Sequence, residues 1–80
     1  VLAAGVGELL EDLETAIARG ELPPLDARYM ARAMAGAGLE IAMEMFERGD
    51  PPDVAGAATF ATALFLGGIE RMATGVTAAP

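Results

Sequence analysis

Carboxylates at helical spacing are the first residues of this 80-residue chain that could do chemistry. Glu40, Glu44 and Glu47 stand at i, i+4 and i+7, and Glu8, Glu11 and Asp12 form a similar group. Such sets can hold a cation or work as acid and base, but a di-metal carboxylate bundle also wants Glu-x-x-His. The sequence has no His, no Cys and no Ser. That removes the commonest general base and transition-metal ligand, thiolate nucleophiles, disulfides and Ser-His pairs. Thr15, Thr59, Thr62, Thr74 and Thr77 have no base near them in sequence. Gly36 and Gly38 do not follow a strand, so a phosphate-cradling loop is not expected. Both acidic groups fall on polar helix faces, where the plain reading is a solvated surface. We expect no enzyme, no metal and no cofactor.

The remaining composition narrows the partners. Twelve acidic residues face five basic ones, all Arg, for a net charge of −7. A nucleic-acid binder neutralises phosphates with a basic patch, and this chain has none to offer. Hydrophobic residues make up 54% of the chain, with ten Gly besides. The excess here is of apolar surface. Val54–Ile69 is 16 residues without a charge, short of the roughly 20 that a membrane span wants. It is also diluted by two Thr, three Gly and five Ala. The opening Val1-Leu2 reads as a fragment of a longer chain or a processed product, with neither a positive leader nor a lipidation motif. A cytoplasmic protein outside the membrane is the expectation.

Pro and Gly cut the chain into segments that must position these residues. The breaks are Gly20-Glu21-Leu22-Pro23-Pro24-Leu25-Asp26 and Gly49-Asp50-Pro51-Pro52-Asp53. In each, Gly stands where a helix C′ residue belongs, Pro blocks continuation, and Asp is placed to cap the next helix. Gly75 closes the last segment before a frayed Val76–Pro80 tail. Ala, Leu, Met and Glu dominate throughout, and no β-branched alternation is seen. The chain therefore reads as all-α, a single region over residues 1–80 with three helices at about 7–19, 27–48 and 54–73.

The three helices differ in how much of their circumference is apolar. In helix 1, Val6, Leu9, Leu10, Leu13, Ala16 and Ile17 share one arc, and Glu8, Glu11, Asp12, Glu14 and Arg19 fill the rest. Helix 2 has two large flanks: Met30, Met34, Ile41 and Met45 on one, Leu39, Met43 and Phe46 on the other. Between them runs a stripe of small residues, Ala27, Ala31, Ala35, Gly38 and Ala42, while Tyr29, Glu40, Glu44 and Glu47 hold the solvent side. Helix 3 is apolar nearly all round. Ala57, Ala61, Leu64 and Gly68 lie on one face, next to Val54, Phe65, Ile69 and Met72. Gly67 and Gly68 sit inside the helical pattern, where each costs roughly 0.5–1 kcal/mol relative to Ala. Either a neighbouring backbone comes close there, or the pair ends the helix early.

Three helices of this size have too little interior to bury helix 3 all round and helix 2 on two sides. The expected solution pairs helices 2 and 3 antiparallel and doubles them about a twofold axis into a four-helix bundle. Its interface would use Ala31, Ala35, Gly38, Ala42, Ala57, Ala61, Leu64 and Gly68. Met side chains suit a wall that adapts to varied apolar ligands. Tyr29, Met30, Met34, Phe46 and Phe60 are thus candidates for an effector-pocket wall, though Met and Phe at this spacing also make ordinary core and interface.

Two stretches carry a family likeness. Arg19-Gly20-Glu21-Leu22-Pro23-Pro24-Leu25-Asp26, followed by Ala31-Arg32-Ala33-Met34-Ala35-Gly36, resembles the C-terminal regulatory domain of the tetracycline-repressor (TetR) family. Phe46-Glu47-Arg48-Gly49-Asp50 and the helix ending Ala63-Leu64-Phe65-Leu66-Gly67-Gly68-Ile69 are similar to the approach to that family's last helix and to the helix itself. The resemblance spans about residues 8–72. It implies that helices 2 and 3 are the last two long helices of a homodimeric four-helix bundle, with a small apolar effector as a possible ligand. It implies too that DNA is reached only through an N-terminal helix-turn-helix that this sequence does not contain. The expected function is the homodimerisation and ligand-sensing region of a TetR-like regulator. The alternative is a free-standing helical interaction module or a small membrane-associated protein.

Overall fold

In a computed structural model, residues 2–75 are described, with side chains from residue 5 onward. They form three helices and no strand: α1 Leu2–Ala18, α2 Ala27–Arg48 and α3 Val54–Ala73. The bounds of α2 and α3 are those expected from the sequence. α1 starts five residues earlier than the expected residue 7, because Leu2, Ala3 and Ala4 are strong helix formers and Gly5 and Gly7 do not outweigh them. The expected frayed tail, Val76–Pro80, lies outside the described residues.

The helix ends are built by local hydrogen bonds. Gly20 takes a left-handed φ of 77°, and its N–H donates to the Ile17 carbonyl at 3.1 Å. The Glu21 N–H donates to the Ala16 carbonyl at 2.9 Å, which completes a Schellman turn and folds the chain back over α1. Asp26 then caps α2, its Oδ1 accepting the Tyr29 N–H at 2.9 Å. Asp53 does the same for α3 through the Gly56 N–H, also at 2.9 Å. Gly49 departs from expectation: its φ of 172° is extended, not left-handed, so α2 is stopped by Pro51 and Pro52 rather than by a glycine turn. Gly75, φ 76°, closes α3 as expected. Gly67 and Gly68 do not end α3, which runs on to Ala73.

α2 is the shared wall. It packs against both α1 and α3, whereas α1 and α3 make no backbone approach to each other. The buried centre is Leu13 from α1 with Met30 and Ala31 from α2. Around it pack Val6, Leu9 and Leu10 of α1, Leu22 and Leu25 of the connecting loop, and Phe65, Ile69 and Met72 of α3. The apolar arc of α1 faces inward and its acids face water, as its spacing requires. On α2 the Met30, Met34, Ile41 and Met45 flank is turned into the chain. The other flank, Leu39, Met43 and Phe46, is exposed.

Two measurements test this packing. Asp26→Ala and Asp53→Ala should each lower unfolding free energy by about 1 kcal/mol, within the usual range for a lost N-cap. Urea titrations followed by circular dichroism would show it, and an unchanged midpoint would remove the cap from the stability of that helix. Ala31, only 1% exposed, has no room to grow. Ala31→Leu should cost roughly 1–3 kcal/mol by overpacking, with the same loss at every protein concentration because the site is internal to one chain.

Candidate functional site

Two grooves run along the seam of α2 and α3. The larger, about 670 Å³, is walled by Leu25, Tyr29, Met30, Ala33 and Ala37 on one side and Leu64, Phe65, Gly68 and Met72 on the other. The smaller, about 410 Å³, lies between Ile41, Glu44, Met45 and Arg48 of α2 and Gly56, Ala57 and Phe60 of α3. The start of α2 thus faces the end of α3, and the end of α2 faces the start of α3. The two helices run antiparallel.

Local sequence sets the geometry of the larger groove. The Asp26 cap anchors the first turn of α2 and places Tyr29 and Met30 on neighbouring positions of the wall. Ala33 and Ala37, one and two turns on, carry no bulk and leave the trough open. On α3, Gly68 leaves a gap where an ideal Cβ would meet no atom within 4 Å. Met72 and Phe65 reach past it to the core. Leu64 forms part of the rim and is 50% exposed; Tyr29 is 79% exposed. Asp26 is the groove's one charged lining residue. An exposed ion pair, Glu44 with Arg48 at 2.9 Å, lines the smaller groove. At such exposure an i, i+4 pair contributes only about 0.3–0.5 kcal/mol.

The residues singled out from sequence divide sharply. Of the pocket candidates, Tyr29 and Met30 line the larger groove and Phe60 the smaller. Met34 packs against the core instead. Phe46, 65% exposed, lies with Leu39 and Met43 and borders neither groove. Of the interface candidates, Ala31 is enclosed within the chain and is not available to a partner. Ala35, Ala42, Ala57, Ala61 and Gly68 are half-buried, while Gly38 and Leu64 are exposed. The α3 stripe is therefore turned largely toward α2. The inward residues of α3 include Phe65 and Met72 of the adjoining face, and Ala57, Ala61, Phe65, Gly68 and Met72 recur every three or four positions. The acidic groups lie on exposed positions, and among the described residues no cluster of three or more carboxylates is arranged to hold a metal ion.

Sequence reasoning missed Leu25, Ala33 and Ala37 as groove walls. Ala33 and Ala37 sit at i+4 and i+8 from Tyr29, so a stripe of one aromatic and two small residues was the available signal. Its meaning depended on which side α3 would occupy.

Comparison with known proteins agrees with this architecture. A family model described as tetracyclin repressor-like, C-terminal domain, matches residues 2–75. The chain belongs to that family, whose members are the C-terminal domains of transcriptional regulators. No curated protein and no solved structure matches it. Among the described residues no helix is long and apolar enough to cross a membrane.

The glycines of α3 supply a test at the level of one chain. Neither Gly67 nor Gly68 would bring an added Cβ within 4 Å of another atom. Gly67→Ala and Gly68→Ala should therefore each stabilise the single subunit by about 0.5–1 kcal/mol through helix propensity. Thermal melts at the lowest workable concentration are the measurement. A loss of stability there would mean that the seam is tighter than the structure has it.

Proposed function

We propose that residues 1–80 form the homodimerisation and ligand-sensing region of a TetR-like transcriptional regulator in the cytoplasm, acting on DNA only through a helix-turn-helix outside this sequence, and that the region is not an enzyme. The observation that carries this is the apolar surface left uncovered along α2 and α3. Tyr29, Phe60 and Leu64 are exposed on the groove side of the helix pair, and Leu66, Leu39, Met43 and Phe46 are exposed besides. Burying a large apolar side chain stabilises by about 1.5–3 kcal/mol relative to leaving it in water. Large apolar side chains left exposed in groups, Phe60 with Leu64 and Leu39 with Met43 and Phe46, are what an association face offers. Two antiparallel helix pairs, each with an apolar face left open, favour an isologous four-helix arrangement.

On this reading the second copy lies against the exposed Phe60 and Leu64, with Gly38 and the half-buried Ala35, Ala42, Ala57, Ala61 and Gly68 as further candidates for the contact. The larger groove, within the usual range of roughly 300–1,000 Å³ for small-molecule sites, supplies the effector site. Its walls are apolar apart from the Tyr29 hydroxyl and the Asp26 carboxylate, so the effector is a mainly apolar molecule. Leu39, Met43 and Phe46 lie roughly 130° around α2 from Ala33 and Ala37, at 100° per residue, and serve a separate contact.

Self-association is tested by sedimentation equilibrium, which should return about twice the 8.1 kDa chain mass. A monomer that unfolds cooperatively and independently of concentration would sink the proposal. Gly68→Leu sharpens the test, because on this reading the second copy reaches the mouth of the groove that Gly68 lines. Overpacking at a twofold contact should weaken the dimer by about 1–3 kcal/mol per site, and the mutant should melt lower at low concentration than at high. A Gly68→Leu protein that is more stable and still dimeric removes Gly68 from the interface. DNA retardation should be absent at any salt, since a chain of net charge −7 repels the duplex; a shifted band at low salt contradicts the assignment of DNA binding to another region.

A further inference from the structure

We infer that the outer face of α2 is a second self-association face, on which α2 of another copy lies antiparallel, so that dimers pair into tetramers. This goes beyond the reading above, which puts the dimer contact on the groove side at Phe60 and Leu64, and it stands on different residues.

The face is set by the turn of the helix. At 100° per residue, Arg28, Arg32, Leu39, Met43 and Phe46 fall within an arc of about 60° on α2. All five are exposed, the three apolar ones at 47%, 48% and 65%. The arc lies between the side that carries the buried Ala31 and the side where Ala33 and Ala37 line the larger groove. The exposed Glu47 borders it.

Along this face the charge changes sign once. Arg28 and Arg32 occupy the first two turns, Leu39 and Met43 the middle, and Phe46 and Glu47 the last turn, with the exposed Asp50 just past the helix end. Such an order opposes the helix dipole, which favours acids in the first turn and bases in the last. α2 has no acid in its first turn, and the base of its last turn, Arg48, lies on the groove side paired with Glu44. Helix stability therefore gives no reason for the order. Among the described residues neither Arg28 nor Arg32 has an ion-pair partner.

A face that runs base, apolar, acid is complementary to its own reverse. A helix of one charge sign would match only half of it, whereas a second copy laid antiparallel matches both halves. With the twofold axis between Leu39 and Glu40, Arg32 stands opposite the partner's Glu47, each about 11 Å from the axis. Met43 then meets the partner's Gly36, where an added Cβ would meet nothing within 4 Å in its own chain. Leu39 packs beside the partner's Leu39, and Arg28 comes toward the partner's Asp50. A parallel arrangement sets Arg against Arg and is refused. Each dimer carries twice the −7 of one chain, so the pairing of dimers is opposed by net repulsion and needs higher concentration than dimer formation.

Charge reversal tests the contact. Sedimentation equilibrium of the full chain should show dimers giving way to tetramers as concentration rises. Arg32→Glu and Glu47→Arg each set like charges across the axis, and each should raise the dimer–tetramer Kd about tenfold or more. Combined in one chain, the two reversals should restore wild-type association, a rescue that misfolding cannot imitate. A chain carrying Phe60→Asp and Leu64→Asp, which lacks the groove-side contact, should still dimerise, and Arg32→Glu should dissociate that dimer. Dimers that do not pair at any concentration, or reversals that shift nothing or fail to rescue one another, overturn the inference and leave the groove-side dimer standing. Reversals that dissociate the dimer itself, while Phe60→Asp with Leu64→Asp leaves it intact, uphold the α2 pairing and overturn the groove-side contact. A monomer at every concentration overturns both.

Discussion

The structure depends on one contact, the meeting of Leu13 with Met30 and Ala31. At that point a methyl group on α2 stands where a larger side chain would hold α1 away. Leu13 can therefore settle against α2, and the flexible Met30 fills the irregular space toward α3. Every other part of the interior is arranged around this centre, with Leu22 and Leu25 closing it from the loop and Phe65, Ile69 and Met72 from α3. A fold with so small a buried nucleus is governed by surface-to-volume scaling, because a chain of this length cannot enclose all of its apolar residues.

From that limit follows the division of labour on α2. One flank, Met30, Met34, Ile41 and Met45, is used up inside the chain. The residues that remain apolar and exposed are then free for contacts beyond it. They are arranged, not scattered: Tyr29 and Leu64 border one trough, Phe60 the next, and Leu39, Met43 and Phe46 form a strip of their own. Acidic residues occupy the rest of the surface, as the net charge of −7 requires. Only Asp26, Glu44 and Asp53 among them border the two grooves.

Membership of the tetracyclin repressor-like C-terminal family gives these surfaces a context, since its members belong to regulators. The glycines show what that context demands. Gly67 and Gly68 remain helical within α3 at the expense of backbone entropy, and no neighbour in the same chain crowds either position. Intrachain packing gives no reason for a missing side chain there. On the proposed reading, the effector groove that Gly68 lines accounts for its missing side chain; nothing in the structure explains Gly67.

By itself the sequence determined whatever depends on near neighbours along the chain. Asp26 and Asp53 announce their helices because a carboxylate oxygen reaches only the N–H three residues on. Gly20 announces the end of α1 because a left-handed residue is needed there for the Schellman bonds. The inward arc of α1 and the Met30, Met34, Ile41 and Met45 flank of α2 follow from the turn of the helix alone. Tertiary structure decided which face meets which helix. Ala31 shares a stripe with Ala35 and Gly38, yet α1 covers it, since the Gly20 turn folds α1 back onto that part of α2. Tyr29 sits at a polar angle by its spacing and still becomes a groove wall, because α3 crosses beside it. Met34 and Phe46 have similar chemistry, but one points into the core and the other to water. Helical periodicity assigns each side chain an angle; only the packing of α1 and α3 against α2 determines what that angle faces.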